Sequence, residues 1–270
     1  MKQLINNLLI NLSSNSRLQK HLETNINFSQ FLMGIGAGAG VDSSGEKVLA
    51  QKLRQIHAKT KQPLCVFDVG ANKGQFLNLI TDGLQDIPFY VHAFEPSQHT
   101  YSILSENVLR HSNVLLNNFG LGKEQGEFEL FYNKAGSGLA SLSKRRLDHF
   151  GIDFNHSEKV KIETLDEYCS SQSIPNIDLL KLDVEGHELD VLNGALRMFH
   201  SKKIQMVSFE FGGCNIDTRT YFQDFWYFFK ENGTFSVFRI TPSGYLMPIQ
   251  KYKEVYEQFR TTNFLAIMQE

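Results

Sequence analysis

The chain has 270 residues, 41% of them hydrophobic and 21% charged, and a formal net charge of −2. That length and apolar content can bury a sizeable core and suit one large α/β domain with an N-terminal extension. The near-neutral balance lacks the basic excess of a dedicated nucleic-acid binder, so no nucleic-acid partner is expected, and no stretch reaches the roughly 18 apolar residues of a membrane-crossing helix.

The first 30 residues are polar and helix-biased. Leu4, Ile5, Leu8, Leu9 and Leu12 fall on one helical face, which reads as a docking helix. Attachment to a membrane surface, or pairing of two copies into a homodimer, are the other uses of such a face. Asparagines interrupt the apolar part and no small-residue cleavage site follows, so it does not read as a signal peptide. A Gly-rich linker covers 31–46, and Ser43 or Ser44 can cap a helix over 46–58. Residues 1–45 thus form an extension and 46–270 the main domain. Cys65, Cys169 and Cys214 are far apart and odd in number, with no C-x-x-C pair and no complete disulfide framework. A reducing cytoplasm is the expected location.

After Pro63, strands and helices alternate, as in a parallel sheet with helices on both faces. Strands are expected at 64–69, 89–94, 114–118, 177–183, 205–211, 234–240 and 264–268, and helices at 75–84, 99–110, 187–199 and 218–232. An antiparallel pair, 127–132 with 159–163, brackets an irregular insertion over 133–158 that can cover an acceptor. Within it, Lys144, Arg145 and Arg146 read as a solvated surface. A hairpin over 235–240 and 245–249 and a helix over 251–260 precede the last strand.

The chemistry concentrates where strands end. The run 64–76, LCVFDVGANKGQF, is a buried strand feeding a polar turn. Gly70 and Gly74 let the backbone approach a ligand. Asp68 orients the loop or holds a cofactor amino group, and Asn72 and Gln75 complete the turn. After the second strand, Glu95 can accept hydrogen bonds from a ribose diol, with Pro96 behind it. After the third, Asn118 and the Phe119 backbone would face an adenine. Such a pocket at the carboxyl edge of a parallel sheet holds a nucleoside cofactor. The dinucleotide fingerprint G-x-G-x-x-G lacks its third glycine here, which favours S-adenosylmethionine (SAM) over NAD.

The densest polar cluster is DLLKLDVEGHELDVLNGA, over 178–195. Lys181, Asp183, Glu185, His187 and Glu188 at one strand tip are costly as pure structure and natural for acid–base work. Glu210 adds a carboxylate on the same sheet edge. Asp183 and Glu210, with Asn215, are also an oxygen donor set for a divalent cation such as Mg²⁺. The aromatic run Tyr221–Phe229 reads chiefly as packing, with sugar stacking as the alternative.

With these residues in hand, the chain resembles the FkbM family of SAM-dependent methyltransferases. The matching stretches are FDVGANKGQF (67–76), AFEPS (93–97), NNFGLG (117–122), GSGLASL (136–142), ETLDEY (163–168) and, above all, IDLLKLDVEGHELDVLNGA (177–195). The resemblance covers roughly 30–268 and implies a Rossmann-like class I methyltransferase fold, with a seven-stranded, mostly parallel sheet and an antiparallel last strand. It implies methyl transfer from SAM to a hydroxyl, commonly on a sugar or glycan. By motif position, Asp68, Gly70, Asn72, Gly74, Glu95 and Asn118 would carry the cofactor. His187 or Asp183 is the expected base, with Glu185 and Glu210 positioning the hydroxyl. An NAD-dependent oxidoreductase or sugar-nucleotide enzyme, and a non-catalytic scaffold, are the competing classes.

Overall fold

The computed structural model describes residue 6, residues 10–109 and residues 111–269. In chain order the elements begin with α1 (Ser16–Leu32), α2 (Lys47–Thr60), β1 (Leu64–Val69), α3 (Gln75–Leu84), β2 (Phe89–Phe94), α4 (Gln98–Val108) and β3 (Val114–Asn117). Next come β4 (Gly120–Leu121), β5 (Gly126–Tyr132), β6 (His156–Glu163), α5 (Leu165–Ser171), β7 (Leu179–Leu182), α6 (Glu188–Asn193) and α7 (Leu196–His200). The chain closes with β8 (Met206–Phe211), α8 (Cys214–Thr218), α9 (Phe222–Glu231), β9 (Phe235–Ile240), β10 (Leu246–Ile249) and β11 (Thr262–Met268).

The main sheet runs β10-β9-β11-β8-β7-β1-β2-β3. From β3 to β8 it is parallel, and β11 is antiparallel to both β8 and β9. It has eight strands rather than seven, because the hairpin puts β10 on the edge beside β9. Every residue of β1 is buried, as a central strand covered on both faces requires. Leu64 and Val66 face a layer with Leu49 and Leu53 of α2, Leu77 of α3 and Leu104 of α4. Cys65, Phe67 and Val69 face the other layer, with Leu165, Val191, Phe199 and Phe225. The aromatic helix α9 packs on this second face: Phe225 stacks on Phe209 with ring centroids 4.7 Å apart. The expected antiparallel pair is β5 with β6, and β4 joins β6 in parallel to make a second, three-stranded sheet.

Three expected helices are reshaped by tertiary partners. The segment 187–199 breaks at Gly194, whose carbonyl accepts from Asp166 N–H while Asp166 caps the N-terminus of α7 through Arg197 and Met198. The segment 218–232 breaks at Arg219, which takes a left-handed conformation (φ +57°), before α9 starts. The expected helix over 251–260 is a single 3-10 turn, Glu254–Tyr256. Its Glu257 carboxylate instead accepts from the Phe222 and Gln223 amides at the start of α9. In the extension, Leu4, Ile5, Leu8 and Leu9 lie outside the described residues, as does Arg110. Leu12 is exposed, and α1 buries no side chain. It is tied down by polar contacts: Arg260 donates to Asn27 and Gln30, and Gln30 to Gln258. Among the described residues no helix is long and apolar enough to cross a membrane.

Candidate active site

A cleft of about 1630 Å³ runs along the carboxyl ends of the parallel strands. Its floor begins with the turn after β1. Gly70 and Ala71 donate to the Phe94 carbonyl, which ties this turn to the end of β2. Gly70 has φ +81°, and a Cβ there would stand 1.9 Å from the Asp183 carbonyl. This glycine is therefore required first by the close approach of β7, rather than by a ligand. Gly74 has φ +90° at the start of α3. Asn72 (φ +48°) donates its N–H to Glu95 at 3.0 Å, and Ser97 donates to the other carboxylate oxygen at 2.9 Å. Glu95 is thus held rigidly at the tip of β2, facing the cleft. Burial pushes its pKa up to about 7, against the pull of these two amides.

Gly70, Asn72, Gln75, Glu95 and Pro96 line the cleft, whereas Gly74 does not. Asp68 lies behind the lining. It is fully buried, neither oxygen has a hydrogen-bond partner among the described residues, and burial lifts its pKa to about 6. Asn118 and Phe119 do not line the cleft either. The Asn118 amide donates to the Glu95 and Pro96 carbonyls, bracing the acidic turn, and the Phe119 ring packs on Phe94 and Tyr168. The neighbouring Gly120 and Leu121 take their place on the wall.

The opposite side of the cleft carries Asp183, Glu185, His187 and Glu210 together. Lys181 donates to Asp183 at 2.8 Å. Burial works against the lysine's charge, but Asp183, Asp68 and Glu46 more than offset it and hold the ammonium above its usual range. Glu185 (φ +52°) and Gly186 (φ +104°) form a tight turn, closed by Glu188, whose carboxylate accepts from the Val184 and Gly186 amides. Burial, then the charge of Asp183, raises Glu185; burial with Asp183 and Glu185 raises Glu210 well above the carboxylate range.

The divalent-cation option does not fit this donor set. Asp183 already meets an ammonium, and Asn215 Oδ1 accepts from Gly212 N–H. No three His, Cys, Asp or Glu side chains converge as metal ligands among the described residues. SAM fits better. Glu95 keeps free lone pairs for a ribose diol, Leu121 and Pro96 offer an apolar wall, and the 70–74 turn brings backbone beside them.

The linker over 36–43 carries no local sequence signal, yet it lines the cleft together with the buried Glu46. The insertion, read as able to cover an acceptor, lines it too. Contrary to the expectation of a solvated surface, the Arg145 side chain is 8% exposed and pairs with Glu185 and, at 3.6 Å, with Asp217. Ser141 donates to the Glu185 carbonyl at 2.8 Å.

The strand order β3-β2-β1-β7-β8-β11-β9, with a Gly turn after β1 and an acidic turn after β2, defines a class I methyltransferase. A family model, the methyltransferase FkbM domain, matches residues 68–236. The chain belongs to the FkbM methyltransferase family. It is 26% identical over 161 residues to the hexuronic acid methyltransferase AglP of Haloferax volcanii, covering 59% of this chain and 62% of that protein. It is 28% identical over 146 residues to methyltransferase 1 of Beauveria bassiana, covering 48% and 57%. The chain thus spans less than two thirds of the length of either relative. Among solved structures, the FkbM methyltransferase of Methylobacillus flagellatus KT aligns over 88% of this chain and 58% of its own, at 14% identity and a TM-score of 0.45.

Proposed function

We propose that the chain transfers a methyl group from SAM to a hydroxyl oxygen of a sugar in a glycan, glycolipid or natural product. One observation carries this reading: Glu95, fixed by two backbone amides, and the Asp183, Glu185 and His187 group line one continuous cleft at the ends of nearby strands. Glu95 would accept from the ribose hydroxyls, and the 70–74 turn would face the amino-acid end of the cofactor. When bound, SAM supplies a methyl carbon on a sulfonium, already a good leaving group.

The protein's own task is to align a poor nucleophile and to take its proton. Alignment is worth about 7–11 kcal/mol and a positioned base about 10²–10⁴-fold. Asp183, engaged by Lys181, suits positioning, while Glu185 and Glu210 offer a hydrogen-bonding floor for the acceptor. The similarity to AglP makes hexuronic acid glycosides the first acceptors to screen.

Calorimetric titration with SAM, against Glu95→Ala, tests the cofactor half. Micromolar binding that the variant loses is expected, and NAD binding in place of SAM would sink the reading. Mass spectrometry of hexuronic acid and neutral glycosides incubated with SAM tests the acceptor half.

A further inference from the structure

His187 opens α6, and both of its ring nitrogens are engaged. Nδ1 lies 2.8 Å from Asp190 Oδ2, one helical turn on, and Nε2 lies 3.1 Å from the Ser143 hydroxyl of the insertion. The ring is 17% exposed and lines the cleft. The carboxylate decides the proton arrangement: Asp190, held below the usual carboxylate range chiefly by its hydrogen bond with His187, can only accept, so Nδ1 carries the hydrogen. Nε2 is then bare, and the Ser143 hydroxyl must be its donor. A hydroxyl donating to a bare imidazole nitrogen, with a carboxylate behind the ring, is the arrangement of a general base and its orienting acid.

We propose that His187 and Asp190 form a general-base dyad for the methyl transfer, with Asp190 the positioning residue. The Ser143 hydroxyl marks the place that the acceptor hydroxyl takes on Nε2. The inference rests on the methyltransferase reading above. As the acceptor oxygen bonds to the methyl carbon and the carbon–sulfur bond breaks to leave a neutral thioether, the hydroxyl proton moves to Nε2. Asp190 then faces an imidazolium and stabilises it. Asp183, Glu185 and Glu210 lie in the same cleft, but Lys181 engages Asp183 and Arg145 engages Glu185. At His187 the Nε2 lone pair already receives one hydroxyl, that of Ser143, so an acceptor hydroxyl would exchange for it in the same geometry. The (i, i+3) spacing of His187 and Asp190 is visible in the sequence, whereas Ser143 arrives from 44 residues away.

Nitrogen-15 NMR of the full chain at a pH where imidazole is neutral reads the tautomer without any acceptor. The His187 signals are assigned by difference against His187→Gln. The expected result is hydrogen on Nδ1 in the wild type and a shift toward hydrogen on Nε2 in Asp190→Asn. Hydrogen on Nε2 in the wild type would overturn the dyad, and this reading stands even where Asp190→Asn fails to fold. On a glycoside that the wild type methylates, His187→Gln and Asp190→Asn should each lose about 10²–10⁴-fold in kcat, with SAM affinity unchanged. Added imidazole should restore part of the rate of His187→Gly. Wild-type kcat in Asp190→Asn would remove the positioning role. A wild type that binds no SAM yet shows the Nδ1 tautomer would count against the methyltransferase reading and leave the His187–Asp190 geometry standing.

Discussion

Lys181 and Asp183 stand two residues apart at the end of β7, and their side chains meet at 2.8 Å. Spacing by two puts them on one face of the strand. The Lys181 ammonium is almost fully enclosed, lies over the Phe76 ring, and is the cation whose charge opposes the burial of Asp68 and Glu46. Replacing it by methionine preserves the stem but leaves buried carboxylates without a counter-charge. Lys181→Met should cost about 3 kcal/mol in urea unfolding, with a larger loss at pH 8 than at pH 5, because the carboxylates ionise as pH rises. An unchanged midpoint would show that the ammonium neutralises nothing essential.

The proposed contact of Glu95 with the ribose predicts that SAM affinity depends on pH. Its pKa in the folded chain is pushed up to about 7 by burial. Only the ionised form accepts both ribose hydroxyls, so SAM affinity should rise with pH, by about tenfold between pH 6 and pH 8. Stability runs the other way. A carboxyl raised above its unfolded value stabilises the fold below about pH 4.5, and this contribution is lost as pH rises through about 7. Calorimetry at the two pH values checks the first claim, and Glu95→Gln should flatten the profile. A flat wild-type profile would mean that Glu95 stays ionised throughout.

Gly70 and Gly151 both hold positive φ, at +81° and +69°. A Cβ on Gly70 would overlap the Asp183 carbonyl, while nothing lies within 4 Å of one on Gly151. Gly151→Ala should therefore cost only the left-handed penalty, about 1–2 kcal/mol. Gly70→Ala adds forced displacement of β7 and should cost about 4 kcal/mol. Thermal unfolding of both variants measures the difference; equal shifts would show that β7 yields freely.

Arg145 anchors the insertion to the Glu185 turn and to Asp217 of α8. Arg145→Met removes the charge and leaves most of the stem. Backbone hydrogen exchange over 139–147 should then quicken by about tenfold or more, while β1 and β2 exchange as before. Unchanged exchange would mean that the Ser141 contact with Glu185 and the Ser143 contact with His187 suffice to hold the segment.

Much of this molecule is legible in its residues. The strand 64–69 and the helix 75–84 fall where the sequence puts them, because a continuous apolar run and a Gly turn are local signals. So does the gathering of Asp183, Glu185, His187 and Glu210, since parallel strands deliver their carboxyl ends to one edge. What escaped is set by distant partners. Arg145 sits in a stretch with no periodicity, and only Glu185 and Asp217 turn it inward. The 251–260 segment has helical composition, yet Glu257 is claimed by the start of α9 and Phe259 takes φ +41°. The Gly-rich linker gives no hint that it forms a wall, because its glycines answer to Ile240, Arg260 and Thr261 far along the chain.

That wall has a consequence for any attempt to recombine relatives. The family-matched core, 68–236, holds the Gly turn, Glu95 and the His187 cluster. The rim of the cleft is borrowed from both flanks, with Gly36 to Ser43 on one side and Phe259 to Asn263 on the other. A chimera exchanging the core alone would transplant the residues proposed for catalysis and keep the host's rim, so the floor and the gateway of the cleft can be inherited separately.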